Sequence, residues 1–549
     1  MKRILIIGGV AGGATAAARL RRLDETARII MFERGEDISF ANCGLPYYVG
    51  GVIKDRDELL LQTPESFKRR FNVDVRVNNE VVAINRVERH VRVKNIINGN
   101  EYEEGYDVLI LSPGGRPIVP SICGIETLNV FTLRNMEDTD KIKNAIKTNQ
   151  PKTAIIIGGG FIGIEMAENL SEAGLEVAIV EKAKQILNHL DIEMAAEIHR
   201  YLRRKGLTLY LNETVNEIVV SGNGLSIRLD SDKIEADMVI FAVGVTPDTA
   251  IAREAGLKLN KNGGIVVDEY MKTSDPNIYA VGDAVEVIDY VSGETVMIPL
   301  AGPANKQARI AANNICGVPS SYNGTQGSSI IKVFEMTAAS TGMNEKTARR
   351  LEIGYDKVYL WVPSHSGYYP NAKDMSLKVL FEKESGKIIG AQIVGFGGVD
   401  KRCDVLAVAV RAGMTAFDLV ELELCYAPPY SSAKDPVNMA GFVIENTVTG
   451  RVKNFHWHDI DALARDGSVT LIDVRTPSEV KRGAIDGFNN IPLDDIRNCI
   501  NMLDRSKPVY VHCKSGMRSY VAARILAQNG FEVYNLSGGY RLYDLMKEG

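Results

Sequence analysis

Three observations predict an α/β chain of several domains: a strand, glycine turn, helix, strand and acid in that order near the start, the same order again about 150 residues later, and a change of pattern about 95 residues from the end. At roughly 100 to 200 residues per domain, 549 residues should hold three to five domains. Hydrophobic residues make up 45 % and charged residues 24 %, which excludes a disordered or fibrous chain. The net charge of −5 is spread without long single-sign blocks, so no nucleic-acid surface is indicated. Glycine is the outlier at 50 residues, about 9 % against a typical ~7 %.

In the first unit, residues 2–7 (KRILII) read as a buried parallel strand, Gly8 to Gly13 as a tight turn, and Ala14 to Leu23 as a helix ending in basic residues. A second strand, Ala27 to Phe32, ends at Glu33, twenty residues after Gly13, where a dinucleotide-binding βαβ unit places its ribose carboxylate. The second unit has strand Ala154 to Ile157, turn Gly158 to Gly163, helix Ile164 to Ala173 and strand Glu176 to Val180, ending at Glu181. Gly158, Gly160 and Gly163 give the full fingerprint: a sharp bend, close backbone approach to pyrophosphate, and helix-on-strand packing. The first unit keeps Gly8 and Gly13 but has Val10 in the middle place. Two such units imply two dinucleotides.

Tyr106 to Pro117 (YDVLILSPGGRP) and Asp237 to Pro247 (DMVIFAVGVTP) each read as a strand breaking into a turn. In NIYAVGDA, Asp283 follows a strand and Gly282 and is expected to open a helix, either as a simple N-cap or as an acceptor for a cofactor's ribityl hydroxyls. The seven cysteines, at 43, 123, 316, 403, 425, 499 and 513, are odd in number, widely spaced and without a CxxC pair, so neither a disulfide framework nor a metal site is written here. The first 22 residues imitate a signal peptide, but their apolar stretch is interrupted by four glycines. No run reaches the ~18 to 20 apolar residues of a membrane span. A cytoplasmic chain with reduced thiols is expected.

Together, GGVAGG with Glu33, SPGGRP, GGGFIGIEMAE with Glu181, AVGVTP and AVGDA resemble the pyridine nucleotide disulfide oxidoreductases over about residues 1–447. The resemblance implies FAD and NAD(P)H in two Rossmann-like domains, followed by an α+β dimerisation domain. It adds Ala11, Gly12, Arg34, Pro113, Phe161, Ile162, Gly244, Gly282, Asp283, Pro299 and Ala301 to the cofactor-binding set. Glu181 favours NADH by accepting from a 2′-hydroxyl and repelling a 2′-phosphate, although Lys182 and Lys184 leave NADPH possible.

Most such disulfide reductases carry CxxxxC beside the flavin, whereas SFANCGLP (39–46) has Cys43 alone. One thiol cannot close an internal disulfide, so Cys43 must cycle through an oxygen adduct or through a mixed disulfide with a small thiol. SFANCGLP resembles the coenzyme A disulfide reductases, which form a mixed disulfide with coenzyme A; related NADH oxidases and peroxidases keep a cysteine in a similar place. The resemblance places Thr15, Arg19, Arg22, Ser39 and Asn42 against coenzyme A. Arg19 and Arg22 share a helix face suited to phosphate, or simply to solvent and the helix dipole. A nearby flavin and helix N-terminus are expected to lower the Cys43 pKa. PLAGPANKQAR (299–309), GTQGSSIIKVF (324–334), HSGYYPNA (365–372) and CYAPPYSSAKDPVNMAG (425–441) extend the likeness. By resemblance, Asn305 lies near the substrate, and Tyr368, chosen over Tyr369, Tyr426 and Lys434 reach the active site of the partner subunit in a homodimer. A tyrosine there would protonate the leaving thiolate or merely pack in the dimer core.

After NTVTGRVKNFHWHD, the segments LIDVRTPSEVKRGAIDGFNNIPL, VYVHCKSGMRSYVAARILAQNG and NLSGGY resemble a rhodanese domain. In CKSGMR, backbone N–H groups around Cys513 are expected to stabilise a thiolate or persulfide, with small residues Ser515 and Gly516 allowing the curl and Arg518 adding a cation. Four residues separate Cys513 from Arg518, against five in the competing phosphatase loop. Asp473, Arg475 and Glu479 are read as stabilising the domain.

The expected division is an FAD domain at 1–110 and 243–322, a connecting segment at 111–149, a NAD(P)H domain at 150–242, a dimerisation domain at 323–447, a linker at 448–456 and a rhodanese domain at 457–549. The expected activity is NAD(P)H-dependent reduction of coenzyme A disulfide, coenzyme A persulfide or polysulfide, with Cys43 and Cys513 as working thiols. A sulfenate-cycling NADH oxidase or peroxidase, and a sulfur-relay or redox-sensing protein with little turnover, are the alternatives.

Overall fold

Isoleucine and leucine fill the strand Arg3–Ile7, and both of its faces are covered. Ile4 and Ile6 pack with Ala16, Ala17 and Leu20 of the helix Ala11–Leu23 and with Ala308, Ala311 and Ala312 of the helix Ala301–Ile315. Leu5 and Ile7 face Val91, Val93, Leu109 and Leu111 on the other side. Such a doubly buried run is the signature of a parallel strand, and each side chain contributes about 1.5–3 kcal/mol of burial.

The computed structural model describes residues 1–222 and 224–548, so the expected domain end at Gly549 lies outside the described residues. The chain separates into two units, one formed by residues 1–186 and 206–327, the other by 187–205 and 328–549. The first unit contains two five-stranded parallel sheets built alike. In one, Arg3–Ile7 lies between Arg28–Phe32 and Val108–Leu111, with Asp74–Arg76 and Ile278–Ala280 at the edges. In the other, Thr153–Ile157 lies between Glu176–Glu181 and Met238–Phe241, with Thr208–Leu211 and Val130–Thr132 outside. Each sheet is accompanied by a three-stranded antiparallel meander. The chain reverses direction across each sheet at its central strand, which opens a crevice at the strands' carboxyl ends. SPGGRP and AVGVTP meet there as paired strands, Val245 opposite Pro117.

In the second unit, the strands Ser329–Val333, Met336–Gly342, Ile388–Gly395, Asp374–Glu382 and Tyr355–Pro363 form an antiparallel sheet in that order, with Tyr355–Pro363 at an edge. A parallel sheet follows, ordered Lys453–Phe455, Val533–Leu536, Val509–His512, Thr470–Asp473 and Asn489–Asn490. The antiparallel sheet carries a buried charge cluster. Lys378, with a fully buried side chain, reaches Asp191 at 2.8 Å, Glu193 at 3.1 Å and Glu345 at 2.5 Å, while Lys357 meets Glu345 at 2.7 Å. Tyr359 Oη and Trp457 Nε1 both donate to Glu193 Oε1, at 2.8 and 2.9 Å. The cluster thus ties the first turn of the C-terminal domain to the antiparallel sheet.

Three expectations are corrected. The two glycine-turn helices begin at Ala11 and Phe161, not Ala14 and Ile164, because the third glycine of each turn already lies in the first helical turn, pressed on the strand end. Asp283 opens no helix; it sits in a turn before the strand Val285–Ile288. Lys453–Phe455, read as linker, is an edge strand paired with Val533–Leu536; three residues with only Phe455 buried are too short a pattern to read. No helix among the described residues is long and apolar enough to cross a membrane.

Candidate active site

Both glycine turns are built to approach a phosphate. The helices start on Val10 and Gly160, neither of which caps its helix with a side chain, so the N-terminal dipole faces the crevice. A Cβ on Gly13 would lie 1.8 Å from the Gly8 carbonyl oxygen, and one on Gly163 would lie 2.0 Å from that of Gly158. A Cβ on Gly160 would meet nothing within 4 Å, which marks open space over the second turn. Glu33 accepts from Gly9 N at 2.8 Å and Gly35 N at 3.0 Å; Glu181 accepts from Gly159 N at 2.7 Å and Ala183 N at 2.8 Å. Tight glycines, uncapped helix ends and strand-end carboxylates fit two dinucleotides, one per sheet.

The other predicted cofactor residues cluster at the same carboxyl ends. Pro113 follows the strand Val108–Leu111 and Gly244 follows Met238–Phe241, while Ala11, Gly12, Phe161 and Ile162 occupy the two helix starts. Pro299 and Ala301 flank Leu300, which starts the helix Ala301–Ile315 without a side-chain cap. Gly282 N donates to Gln307 Oε1 at 2.7 Å, and Asp283 pairs with Arg134 at 3.1 Å, a residue the sequence reading missed. The Arg34 guanidinium is held by Asp248 at 2.6 Å.

Cys43 sits in the short 3-10 turn Asn42–Gly44, just before the helix Leu45–Val49, and is exposed. The expected lowering rested on a bound flavin; the protein's own groups act in the other direction. Protein packed around the sulfur raises the thiol pKa, and the charges of Glu165 and Asp283 add to it. Glu165 and Tyr47, four residues after Cys43, were not singled out from the sequence. Burial pushes the Glu165 carboxyl up to about 7, with the Glu168 charge adding and a hydrogen bond to Tyr47 opposing. An acid interrupting the apolar run of GGGFIGIEMAE was the available signal.

The predicted substrate residues lie on this segment and on the helices Ala11–Leu23 and Ala301–Ile315. Ser39, with φ of +48°, donates its N–H to Gly9 O at 2.8 Å and so seats the cysteine turn on the first glycine turn. Thr15 Oγ1 donates to Asn305 Oδ1 at 2.7 Å. Asn42 Oδ1 is buried without a hydrogen-bond partner among the described residues, a costly state that a ligand N–H would relieve. Arg19 Nε donates to Asn313 Oδ1 at 2.9 Å, and burial together with the charges of Arg309 and Arg22 lowers the Arg19 pKa. A concentration of guanidinium groups of this kind attracts phosphate.

In the second unit, the exposed Tyr368 and Tyr426 bring their hydroxyls to 3.0 Å, a hydrogen bond that lowers the Tyr368 pKa. Tyr369 turns its ring toward His365 instead. Lys434 is exposed on the segment before the helix Pro436–Val448.

Cys513 ends the strand Val509–His512 and is fully buried. Its sulfur accepts from Gly516 N at 3.1 Å and from Ser519 Oγ at 3.4 Å. Ser519 was missed: it stands six residues on, in the first turn of the helix Met517–Gln528. A hydrogen bond to Glu479 raises the Arg518 pKa and the charge of Cys513 adds to it, so the cation stays within electrostatic reach of the sulfur, as expected, while its hydrogen bonds go elsewhere. Both terminal nitrogens donate to Glu479, each at 2.7 Å, and this pairing pulls the Glu479 pKa down to about 2. Asp473 and Arg475 form a buried pair at 2.6 Å, from which Arg475 also donates to Gly483 O.

Residues 2–308 match the family Pyridine nucleotide-disulphide oxidoreductase, 328–436 its dimerisation domain, and 457–545 the Rhodanese-like domain. The chain is 38 % identical over 444 residues to a coenzyme A disulfide reductase of Staphylococcus aureus, covering 80 % of this chain and 99 % of that one. The reduced CoADR-RHD of Bacillus anthracis is 52 % identical and covers 100 % of this chain and 98 % of its own, with a TM-score of 0.98. An NAD-dependent persulfide reductase from A. fulgidus is 37 % identical, covering 98 % of this chain and 100 % of its own, with a TM-score of 0.91. The chain belongs to the pyridine nucleotide-disulphide oxidoreductases, in the coenzyme A disulfide reductase branch that carries a C-terminal rhodanese domain.

Proposed function

We propose that the enzyme uses NADH to reduce the sulfur–sulfur bond of coenzyme A disulfide, coenzyme A persulfide or polysulfide, with Cys43 as attacking thiol and Cys513 as carrier of sulfane sulfur. One observation carries this reading: a single thiol beside the first glycine turn, with no second cysteine to pair with, shares its chain with a thiol ringed by hydrogen-bond donors. The relatives named above act on those two bond types, coenzyme A disulfide and persulfide. FAD, bound along the first glycine turn, supplies the two-electron link between NADH and the thiol.

The Cys43 thiolate attacks the sulfur bonded to coenzyme A, the persulfide S–S bond breaks, hydrosulfide leaves, and a Cys43–coenzyme A disulfide forms. Two electrons from NADH then cleave that disulfide, returning the Cys43 thiolate and releasing coenzyme A. Overall, coenzyme A persulfide, NADH and one proton give coenzyme A, hydrogen sulfide and NAD⁺. With coenzyme A disulfide, the first leaving group is coenzyme A itself. Asn42 Oδ1 accepts from an amide N–H of the coenzyme's arm, Thr15, Ser39 and Asn305 line that arm, and Arg19 and Arg22 take its phosphates. Glu181 sets the preference for NADH over NADPH.

In a homodimer, Tyr368, Tyr426 and Lys434 of one subunit complete the site of the other, and the paired hydroxyls protonate the leaving thiolate. The Cys513 thiolate takes one sulfur from a polysulfide, the shortened polysulfide leaves, and the sulfur passes to the thiol of coenzyme A. The domain division set out from the sequence, and a cytoplasmic location that keeps these thiols reduced, belong to the same reading.

The test is anaerobic sulfide release and NADH oxidation with coenzyme A persulfide. Wild type should produce sulfide and Cys43→Ser should not. Cys513→Ser should retain turnover with that substrate and lose it with polysulfide. A wild type that oxidises no NADH under these conditions overturns the proposal.

A further inference from the structure

We infer that the edge strand Tyr355–Pro363 of the dimerisation domain buttresses the Cys513 loop from behind, with Trp361 and Arg541 as positioning residues that hold the sulfur-binding loop in shape. The inference rests on the reading of Cys513 as a sulfane carrier.

The loop's shape is fixed from behind. Cys513 O accepts from Tyr540 N at 2.8 Å, and Lys514 O accepts from Arg541 N at 2.9 Å. In a planar trans peptide the C=O and the following N–H point in opposite directions. Anchoring these two carbonyls therefore turns the N–H groups of Lys514 and Ser515 away from residues 540 and 541 and fixes the curl in which Gly516 N donates to Cys513 Sγ at 3.1 Å. The anchoring segment is pressed close: a Cβ on Gly539, whose φ is +63°, would lie 2.7 Å from both Cys513 O and Ser515 N. That segment has no freedom to retreat, because its other side is docked on the dimerisation sheet. Trp361 Nε1 donates to Gly538 O at 3.0 Å, and the otherwise unpaired edge-strand amide Tyr359 N donates to Ser537 Oγ at 3.2 Å. The Arg541 guanidinium lies 3.7 Å over the Trp361 ring and reaches Asp374 at 2.9 Å. Residues 537–541 are thus clamped between the edge strand and the Cys513 loop. Trp361 and Arg541 act through that segment, not on sulfur.

Trp361→Phe keeps the ring and loses the N–H; Arg541→Gln loses the cation, and Arg541→Lys restores it. In the full-length protein, site-resolved mass spectrometry follows alkylation of Cys513 by iodoacetamide across pH, beside kcat and KM for sulfur transfer from thiosulfate to cyanide. Trp361→Phe and Arg541→Gln should each move the alkylation profile to higher pH by about half a unit to one unit, the scale of one weakened hydrogen bond to the thiolate. They should lower kcat about three- to tenfold, while Arg541→Lys stays near wild type and NADH-driven coenzyme A disulfide reduction stays within about twofold. The double variant should lose little more than either single one, since both act through one segment. An unmoved alkylation profile and kcat in both folded single variants overturns the inference. A wild type that transfers no sulfur overturns the reading of Cys513 instead, and the alkylation profile then decides the positioning role by itself.

Discussion

The two thiols proposed to work in this enzyme are opposites in construction. Cys43 is exposed on a three-residue turn, and acidic neighbours with surrounding protein raise its pKa. Cys513 is fully buried at a strand end, where a backbone N–H and a serine hydroxyl donate to its sulfur. The difference teaches that the loop around Cys513 carries its own hydrogen-bond donors for the sulfur, whereas the protein groups around Cys43, Glu165 among them, disfavour its negative form. A carrier thiol must hold sulfur between encounters. An exchanging thiol must be accessible and must let go.

Swapping serine into each site should separate them most sharply. Cys43→Ser should lower NADH-driven reduction of coenzyme A disulfide by about three orders of magnitude or more, the scale of losing a nucleophile. Cys513→Ser should leave that reaction within about twofold and abolish sulfur transfer from thiosulfate to cyanide. Initial rates with both substrate pairs check this, and loss of both activities in one variant would break the comparison.

The Cys513 region should also depend on buried charge in a way the Cys43 region does not. Lys378→Met leaves Asp191, Glu193 and Glu345 without their shared cation and should cost about 3–5 kcal/mol in denaturant-induced unfolding of the second unit. Followed by Trp457 fluorescence, the loss should appear as a lower midpoint while flavin retention changes little.

Acid provides a smaller contrast. Pairing with Arg518 holds the Glu479 pKa at about 2, below its ordinary 4.5. A lowered folded pKa adds stability that is fully present above about pH 4.5 and is lost as pH falls through about 2. Glu479→Gln should therefore be less stable than wild type by about 1–2 kcal/mol at pH 7, and the gap should close as pH falls through that window. Unfolding midpoints at pH 7 and pH 3 test the sign.

The smallest effect belongs to Cys43. Removing the Glu165 charge should ease ionisation of the thiol, so Glu165→Gln should speed iodoacetamide alkylation of Cys43 at pH 8 by about two- to fivefold and leave Cys513 unaffected. Equal acceleration at both cysteines would show a general loosening instead.

Local sequence determined the two glycine turns, their strand-end acids, the lone cysteine of SFANCGLP and the CKSGMR loop, because each depends on residue types at fixed short spacing: a glycine where a Cβ would strike a carbonyl, a carboxylate at a strand end, small residues where backbone must curl. Tertiary structure decided everything that depends on partners far along the chain. Arg518 was legible as a cation near the sulfur, but only the fold shows that Glu479, 39 residues upstream, holds both of its terminal nitrogens. A flavin and a helix N-terminus suggested a low pKa for Cys43, whereas burial of the sulfur, with Glu165 and Asp283 near it, acts in the opposite direction. Trp361 carried no motif, and only the docking of Gly538 on its indole nitrogen placed it behind the segment that anchors the Cys513 loop. Short-range sterics are written in consecutive residues; charge pairing, desolvation and docking are sums over neighbours that only the folded chain assembles.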